Sequence, residues 1–98
     1  MAKFEWDEDK NAANIEKHGL DFEDAAEVFD GPLLAAPDTR QDYGEERWIE
    51  LGLLEHRVVV VVYTYRSPDI VRVISMRKAL QHERSHYEQF LRDRLGEG

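Results

Sequence analysis

The run Val58-Val59-Val60-Val61-Val62, continued by Tyr63-Thr64-Tyr65, decides the fold. β-Branched side chains lose rotamer freedom in a helix and pack well on a pleated surface. No polar residue interrupts the valines, so neither face of this segment suits water. It reads as a central strand covered on both sides. Its neighbours follow outward. Arg47 to Leu53 alternates, with Ile49, Leu51 and Leu53 on one face, and Glu55-His56 marks the turn between the two strands. Ser67-Pro68-Asp69 has turn composition, and Ile70 to Met76 is the next strand. Leu33 to Ala36 is a short apolar strand, and Pro37 suits a sheet edge. Asp38 to Gly44 is a polar loop.

Helical signals flank these strands. Phe4-Glu5-Trp6 alternates and reads as a short strand. Asp7 then caps a helix with Glu8 and Asp9 in its first turn, where the helix dipole favours anions. That helix runs to Lys17-His18, and Gly19 supplies the left-handed residue that ends it. Asp21 caps a second helix, Phe22 to Phe29, with Phe22, Ala25, Ala26, Val28 and Phe29 as its apolar stripe. Asp30-Gly31-Pro32 stops it. Ala79 to Leu95 is a third helix, with Leu80, Tyr87, Leu91 and Leu95 on one face and Phe90 beside them. The order β-α-α-β-β-β-β-α predicts an α+β fold: a small antiparallel sheet packed with N-terminal helices and a C-terminal helix.

The 98 residues suit one domain, 1–98, which at this size buries about two thirds of its unfolded surface. Cysteine is absent, which excludes disulfides, thiol nucleophiles, iron–sulfur clusters and the common structural zinc sites. No apolar run is long enough for a membrane span, and the N-terminus lacks a signal-peptide core, so a cytoplasmic protein with no membrane partner is expected. The net charge of −8 opposes indiscriminate nucleic-acid binding. The first fifty residues hold 15 acids and 5 bases, whereas the last forty-eight hold 6 acids and 8 bases. The charge leaves room for a local cationic site in the second half, and the acidic first half suits a basic partner.

Three constellations carry chemistry. His82-Glu83-Arg84-Ser85-His86 matches H-E-x-x-H, in which two histidines one turn apart hold zinc and the glutamate activates water. Its third ligand would have to be Glu88, Asp93 or Glu97 on or beyond the same helix, or an acid upstream. The competing reading is a solvated helix face. The second constellation is cationic: Arg57, Arg66, Arg72, Arg77 and Lys78 at strand ends, and Arg84 in the last helix. Antiparallel pairing puts Arg66 beside Arg72 across the turn and brings Arg57 toward Arg77 at the other end. Arginine offers phosphate a bidentate contact and lysine a point charge. The alternative is ordinary strand ends paired with acids. The third is Lys17-His18, either a dipole complement or an acid, base or phosphate ligand. Trp6 is a core residue or a base-stacking platform. No nucleophile–base pair supports acyl transfer.

Taken in order, Phe4-Glu5-Trp6-Asp7, Lys10, Asn14, Lys17-His18-Gly19, Phe22-Glu23, Ala25-Ala26 and Val28-Phe29 resemble the opening pattern of BrnT-type toxins of type II toxin–antitoxin modules. Gly44-Glu45-Glu46-Arg47 resembles the middle motif. Arg72-x-Ile74-Ser75-x-Arg77-Lys78-Ala79, with Glu83-Arg84 and Tyr87-Glu88, resembles the closing one. Two positions depart: the family more often has an acid where Tyr65 precedes Arg66, and alanine at Met76. The resemblance implies a RelE-like fold and an endoribonuclease. It also implies a BrnA-type antitoxin as partner, with promoter DNA reached only through that antitoxin.

On this reading RNA is the substrate and no cofactor or metal is required, because RNA carries its own nucleophile in the 2′-hydroxyl. The expected phosphate donors are Arg77 and Lys78, assisted by Arg66 or Arg72. His18 or Lys17 carries the proton, with Glu46 a weaker candidate. Trp6, Arg57, Arg72 and Arg84 are expected to bind substrate. The alternatives are a non-catalytic antitoxin-binding or co-repressor module, and a zinc hydrolase using His82, Glu83 and His86.

Overall fold

The computed structural model describes residues 3–96. Its strands are β1 (Lys3–Glu5), β2 (Leu34–Pro37), β3 (Trp48–Leu54), β4 (Arg57–Ser67) and β5 (Ile70–Lys78), and they form one sheet in the order β1-β5-β4-β3-β2. The valine strand lies at the centre, as its composition requires. The three pairings among β2 to β5 are antiparallel, with Ile49 opposite Val62 and Val60 opposite Arg77. Strand β1, expected in an antiparallel sheet, pairs parallel to β5, with Phe4 beside Val71. A chain leaving β1 in this direction continues along the remainder of the β5 edge.

Helix α1 (Glu8–His18) follows that edge. Asp7 caps it by accepting from the Asp9 and Lys10 N–H groups, and Gly19 closes it at φ 70°, both as expected. Its buried residues are Asn11 and Asn14, while Ile15 stays 41% exposed. Hydrogen bonds therefore attach α1 where an apolar stripe would attach an ordinary surface helix. Asn11 accepts from the Phe22 N–H at 2.9 Å and donates to Asp21 at 3.0 Å. Asp21 begins the expected second helix, which divides into a 3-10 turn over 22–24 and α2 (Ala25–Asp30). Phe22, Ala25 and Val28 are buried, whereas Ala26 faces water.

The sheet has a core on each face. Phe22, Ala25 and Val28 pack with Val59, Val61, Tyr63, Val73 and Met76 on one side. On the other, α3 (Gln81–Gly96) lays Tyr87 against Leu51, Val58 and Val60, with Phe90 and Leu91 at the margin. The Tyr87 hydroxyl donates to the Pro32 carbonyl at 2.7 Å. The expected apolar face of this helix holds only in its middle: Leu80 is 56% and Leu95 83% exposed. Leu80 precedes the first helical residue, and Leu95 lies in the last turn. Close approach of α2 to β3 requires Gly52, where a Cβ would lie 2.6 Å from Val28 Cγ1. Among the described residues no helix is long and apolar enough to cross a membrane.

Candidate functional site

Asn14 sets the geometry of the site. Its Oδ1 accepts from the Met76 N–H on the β5 edge at 3.2 Å, and its Nδ2 donates to the Leu20 carbonyl at 3.0 Å. One side chain thus ties α1 to the sheet edge and to the chain that leaves it. Lys17 and His18 follow within about one helical turn, so they lie beside the end of β5, where Arg77 and Lys78 stand. Lys17, His18, Arg77, Lys78 and Leu80 line a cavity of about 510 Å³. A second cavity of about 250 Å³ adjoins it, sharing Lys17 and His18 and adding Lys10, Asn14, Ile74 and Ser75.

The electrostatics of these two cavities differ from those of the chain. Twenty-one of its 98 residues are acids, yet among the described residues no acid lines either cavity. Other concavities do contain carboxylates: one is lined by Asp38, Asp42, Glu45 and Glu46, another by Glu83. Arg77 has its counterion in Glu83, outside this lining, whereas Lys17 and Lys78 have none among the described residues, and an anionic ligand removes the cost of gathering them.

The four residues Lys17, His18, Arg77 and Lys78, expected to work together, are therefore brought together. Their roles are not equivalent. Arg77 donates to both Glu83 oxygens, Nη1 to Oε1 at 2.8 Å and Nη2 to Oε2 at 2.9 Å. Glu83 Oε1 also accepts from the Leu80 N–H at 2.7 Å. The paired Arg77 holds the Glu83 carboxyl down at about 2, so Glu83 is a fixed anion and not a proton acceptor at neutral pH. Lys10, Lys17 and Lys78 form no ion pair among the described residues.

The remaining candidates lie elsewhere. Arg66 and Arg72 are neighbours across the turn, as expected, but both face Glu5, at 3.7 and 2.8 Å. Six residues of strand, about 20 Å, separate Arg72 from Lys78. Glu5 also gives Arg66 a carboxylate despite the tyrosine at position 65. Arg57 does not oppose Arg77: it pairs with Leu54 in the β3–β4 hairpin, and Val60 takes the place opposite Arg77. Arg84 donates to the Ala79 carbonyl at 3.0 Å. Trp6 packs edge-on to Phe22 against the core, and its indole N–H donates to Glu8. Glu46 lines the acidic concavity formed by the 38–48 segment.

The zinc motif keeps its helical spacing but lacks the remainder of a site. His82 and His86 border an apolar concavity with Leu34, Ile49 and Leu51. Glu83, the residue that would activate water, is bound to Arg77. Among the described residues no group of three or more histidines, cysteines or acids is placed to hold a metal ion. Glu97, one of the third ligands considered, lies outside the described residues.

Sequence reasoning about the site missed Lys10, Asn14, Glu5 and Glu83 as site-forming or site-shaping residues. Lys10, Asn14 and Lys17 lie four and three residues apart, a helical spacing that places them on adjoining faces. That was the available signal for the first two. Chemically, the cleft offers lysine donors, one imidazole and a guanidinium held in place beside them. That set suits an anionic phosphodiester and one proton transfer.

Comparison with known proteins finds similarity over most of the chain. Residues 6–83 match a family model described as the ribonuclease toxin, BrnT, of type II toxin–antitoxin systems. Among solved structures, the 1.1 Å crystal structure of the Brucella abortus ribonuclease toxin BrnT is similar. It is 31% identical, with a TM-score of 0.62, and the match covers 83% of this chain and 100% of that one. No curated protein matches the chain.

Proposed function

The chain belongs to the BrnT family of ribonuclease toxins of type II toxin–antitoxin systems, and on that premise we propose that RNA is cut in the cleft between α1 and β5. The observation that carries this reading is the acid-free lining of its two adjoining cavities in a strongly acidic chain. Lys17 and Lys78 hold the non-bridging oxygens of the scissile phosphate, and Arg77, braced by Glu83, turns its remaining donor capacity toward them. Imidazole is the side-chain type best suited to exchanging a proton near neutral pH, so His18 takes that role.

The chemistry balances within the substrate. The 2′-oxygen gives its proton to His18 and forms a bond to phosphorus. The bond from phosphorus to the 5′-oxygen breaks, that oxygen takes a proton from water, and His18 gives its own proton back to the solvent. The products are a 2′,3′-cyclic phosphate and a 5′-hydroxyl. The lysine donors stabilise the charge that grows on the phosphoryl oxygens. DNA lacks the hydroxyl and is not a substrate.

A type II toxin has an antitoxin partner. We assign that partner to the BrnA type, acting as the one contact with promoter DNA. The acidic first half of the chain offers it a surface of opposite charge. The whole chain, 1–98, acts as one toxin domain in the cytoplasm, and the cleavage of RNA there halts translation and growth.

The test is incubation of the purified protein with matched RNA and DNA strands in excess chelator. Cleavage of RNA alone, leaving 2′,3′-cyclic phosphate ends, is the expected result. Equal cleavage of DNA contradicts it, as does activity that appears only when a divalent metal is restored.

A further inference from the structure

The second, smaller cavity shares Lys17 and His18 with the first, but its other lining residues take no part in the cleavage step. It continues the acid-free cleft along α1, away from Lys78 and toward the start of the helix, and its outer cation is Lys10. Resting on the reading of the cleft as the RNA site, we propose that this cavity is a distal phosphate subsite. Lys10 there holds a second phosphate of the same RNA strand, and the Ser75 hydroxyl is its neighbour on β5.

Several observations support this placement. The two cavities share Lys17 and His18, so they adjoin at those side chains and one strand can contact both. Lys10 and Lys17 are seven residues apart, which is nearly two full turns and therefore the same face of the helix. Their separation along the axis is about 10 Å. That distance exceeds the rise of a single nucleotide, so the two lysines address different phosphates of one strand. Asn14, between them in sequence, is buried and bonded to the Met76 N–H, so the floor of the cleft is fixed rather than mobile. Ile74 and Ala13 add apolar surface to that floor. Lys10 is paired with no acid among the described residues, although Asp7, Glu8 and Asp9 precede it directly.

The consequence is a length requirement. A substrate too short to reach Lys10 loses one phosphate contact, while a longer one gains it. Neutralising one phosphate of a single strand contributes a salt slope of about 0.7, which corresponds to about eightfold in affinity at 50 mM salt.

The experiment measures binding of 2′-O-methyl oligonucleotides, which cannot be cleaved through the 2′-oxygen, at two lengths: two nucleotides and six. The full chain is compared with Lys10→Gln and with Lys17→Gln. The six-mer is expected to bind the unaltered chain about eightfold more tightly than it binds Lys10→Gln, with a salt slope steeper by about 0.7. The two-mer is expected to bind those two proteins alike, and Lys17→Gln is expected to weaken both lengths. Equal six-mer affinity for Lys10→Gln and the unaltered chain, with Lys17→Gln still weakened, overturns the distal subsite and leaves the ribonuclease cleft standing. Indifference of both lengths to Lys17→Gln overturns the cleft itself, and the subsite with it.

Discussion

Glu83 holds Arg77 at both ends of its guanidinium, at 2.8 and 2.9 Å, and takes a third hydrogen bond from the Leu80 N–H at the entry to α3. The pair joins the end of β5 to the start of the last helix, and it fixes the direction in which Arg77 faces the cleft. Arginine's planar fork allows this two-point attachment, and lysine's single ammonium does not. Glu83→Gln is expected to cost about 1–3 kcal/mol at pH 7, read from denaturant unfolding. The pH dependence has a definite sign. The carboxyl sits at about 2 in the folded chain and near 4.5 when unfolded. Its stabilisation is full above pH 4.5 and is lost as pH falls through about 2. The Gln variant lacks that acid limb.

Asn14 makes a second long-range tie, between α1 and the Met76 N–H, and it is buried. Asn14→Leu leaves that N–H and the Leu20 carbonyl without partners, at an expected cost of about 2–4 kcal/mol. Asn14→Asp keeps the acceptor for Met76 but turns a buried carboxylate oxygen toward the Leu20 carbonyl, so its thermal midpoint should also fall below that of the unaltered chain. In both variants Lys17 and His18 lose their fixed position, and cleavage should fall more than the unfolded fraction explains.

Gly52 and Val28 test the packing of α2 on the sheet. A Cβ at Gly52 would stand 2.6 Å from Val28 Cγ1, so Gly52→Ala is expected to destabilise by about 1–3 kcal/mol. Val28→Ala removes the clashing methyl and leaves a cavity of its own. The double variant should therefore cost less than the two single costs added together, a coupling read from a double-mutant cycle.

Glu50 is buried on β3, and among the described residues neither carboxyl oxygen has a hydrogen-bond partner. Burial pushes it up to about 7, and the nearby Tyr63 phenol offsets this only in part. The folded chain thus keeps a proton that the unfolded chain loses near 4.5. Stability on this account is highest below pH 4.5, declines as pH rises to about 7, and is level above it. Glu50→Gln removes the titration. It should match the unaltered chain at pH 4.5 and exceed it by about 3 kcal/mol at pH 8 in paired denaturant curves.

The sequence made some features legible and hid others for a physical reason. The valine strand, the Asp7 cap and the Gly19 stop are written in residues next to the structure they cause. The cationic pairs at Lys17-His18 and Arg77-Lys78 are local as well, and the expectation that they act together came from the cationic strand ends and the family resemblance. The hidden features are pairings across long separations. Asn14 meets Met76 across 62 positions, and Glu5 meets Arg72 across 67. Nothing near Glu5 shows that it will face two arginines. The parallel direction of β1 was hidden likewise, since three residues carry no mark of which way their neighbour runs. The apolar spacing of Leu80 and Leu95 was legible but misleading, because periodicity records which residues share a face and not how far the sheet extends beneath them.

The central claim is that the cleft between α1 and β5 cuts RNA, and that the arginine pair at the far end of β5 does not. Single-turnover cleavage rates of folded Lys17→Ala, His18→Ala and Lys78→Ala, set beside those of Arg66→Ala, test it most directly. Loss of a donor or proton carrier at the reacting phosphate costs about a hundredfold or more, so the three cleft variants should fall by that factor while Arg66→Ala stays within about threefold. Full activity in the three cleft variants, or its loss in Arg66→Ala alone, would contradict the account and move the site to the Glu5 end of the sheet.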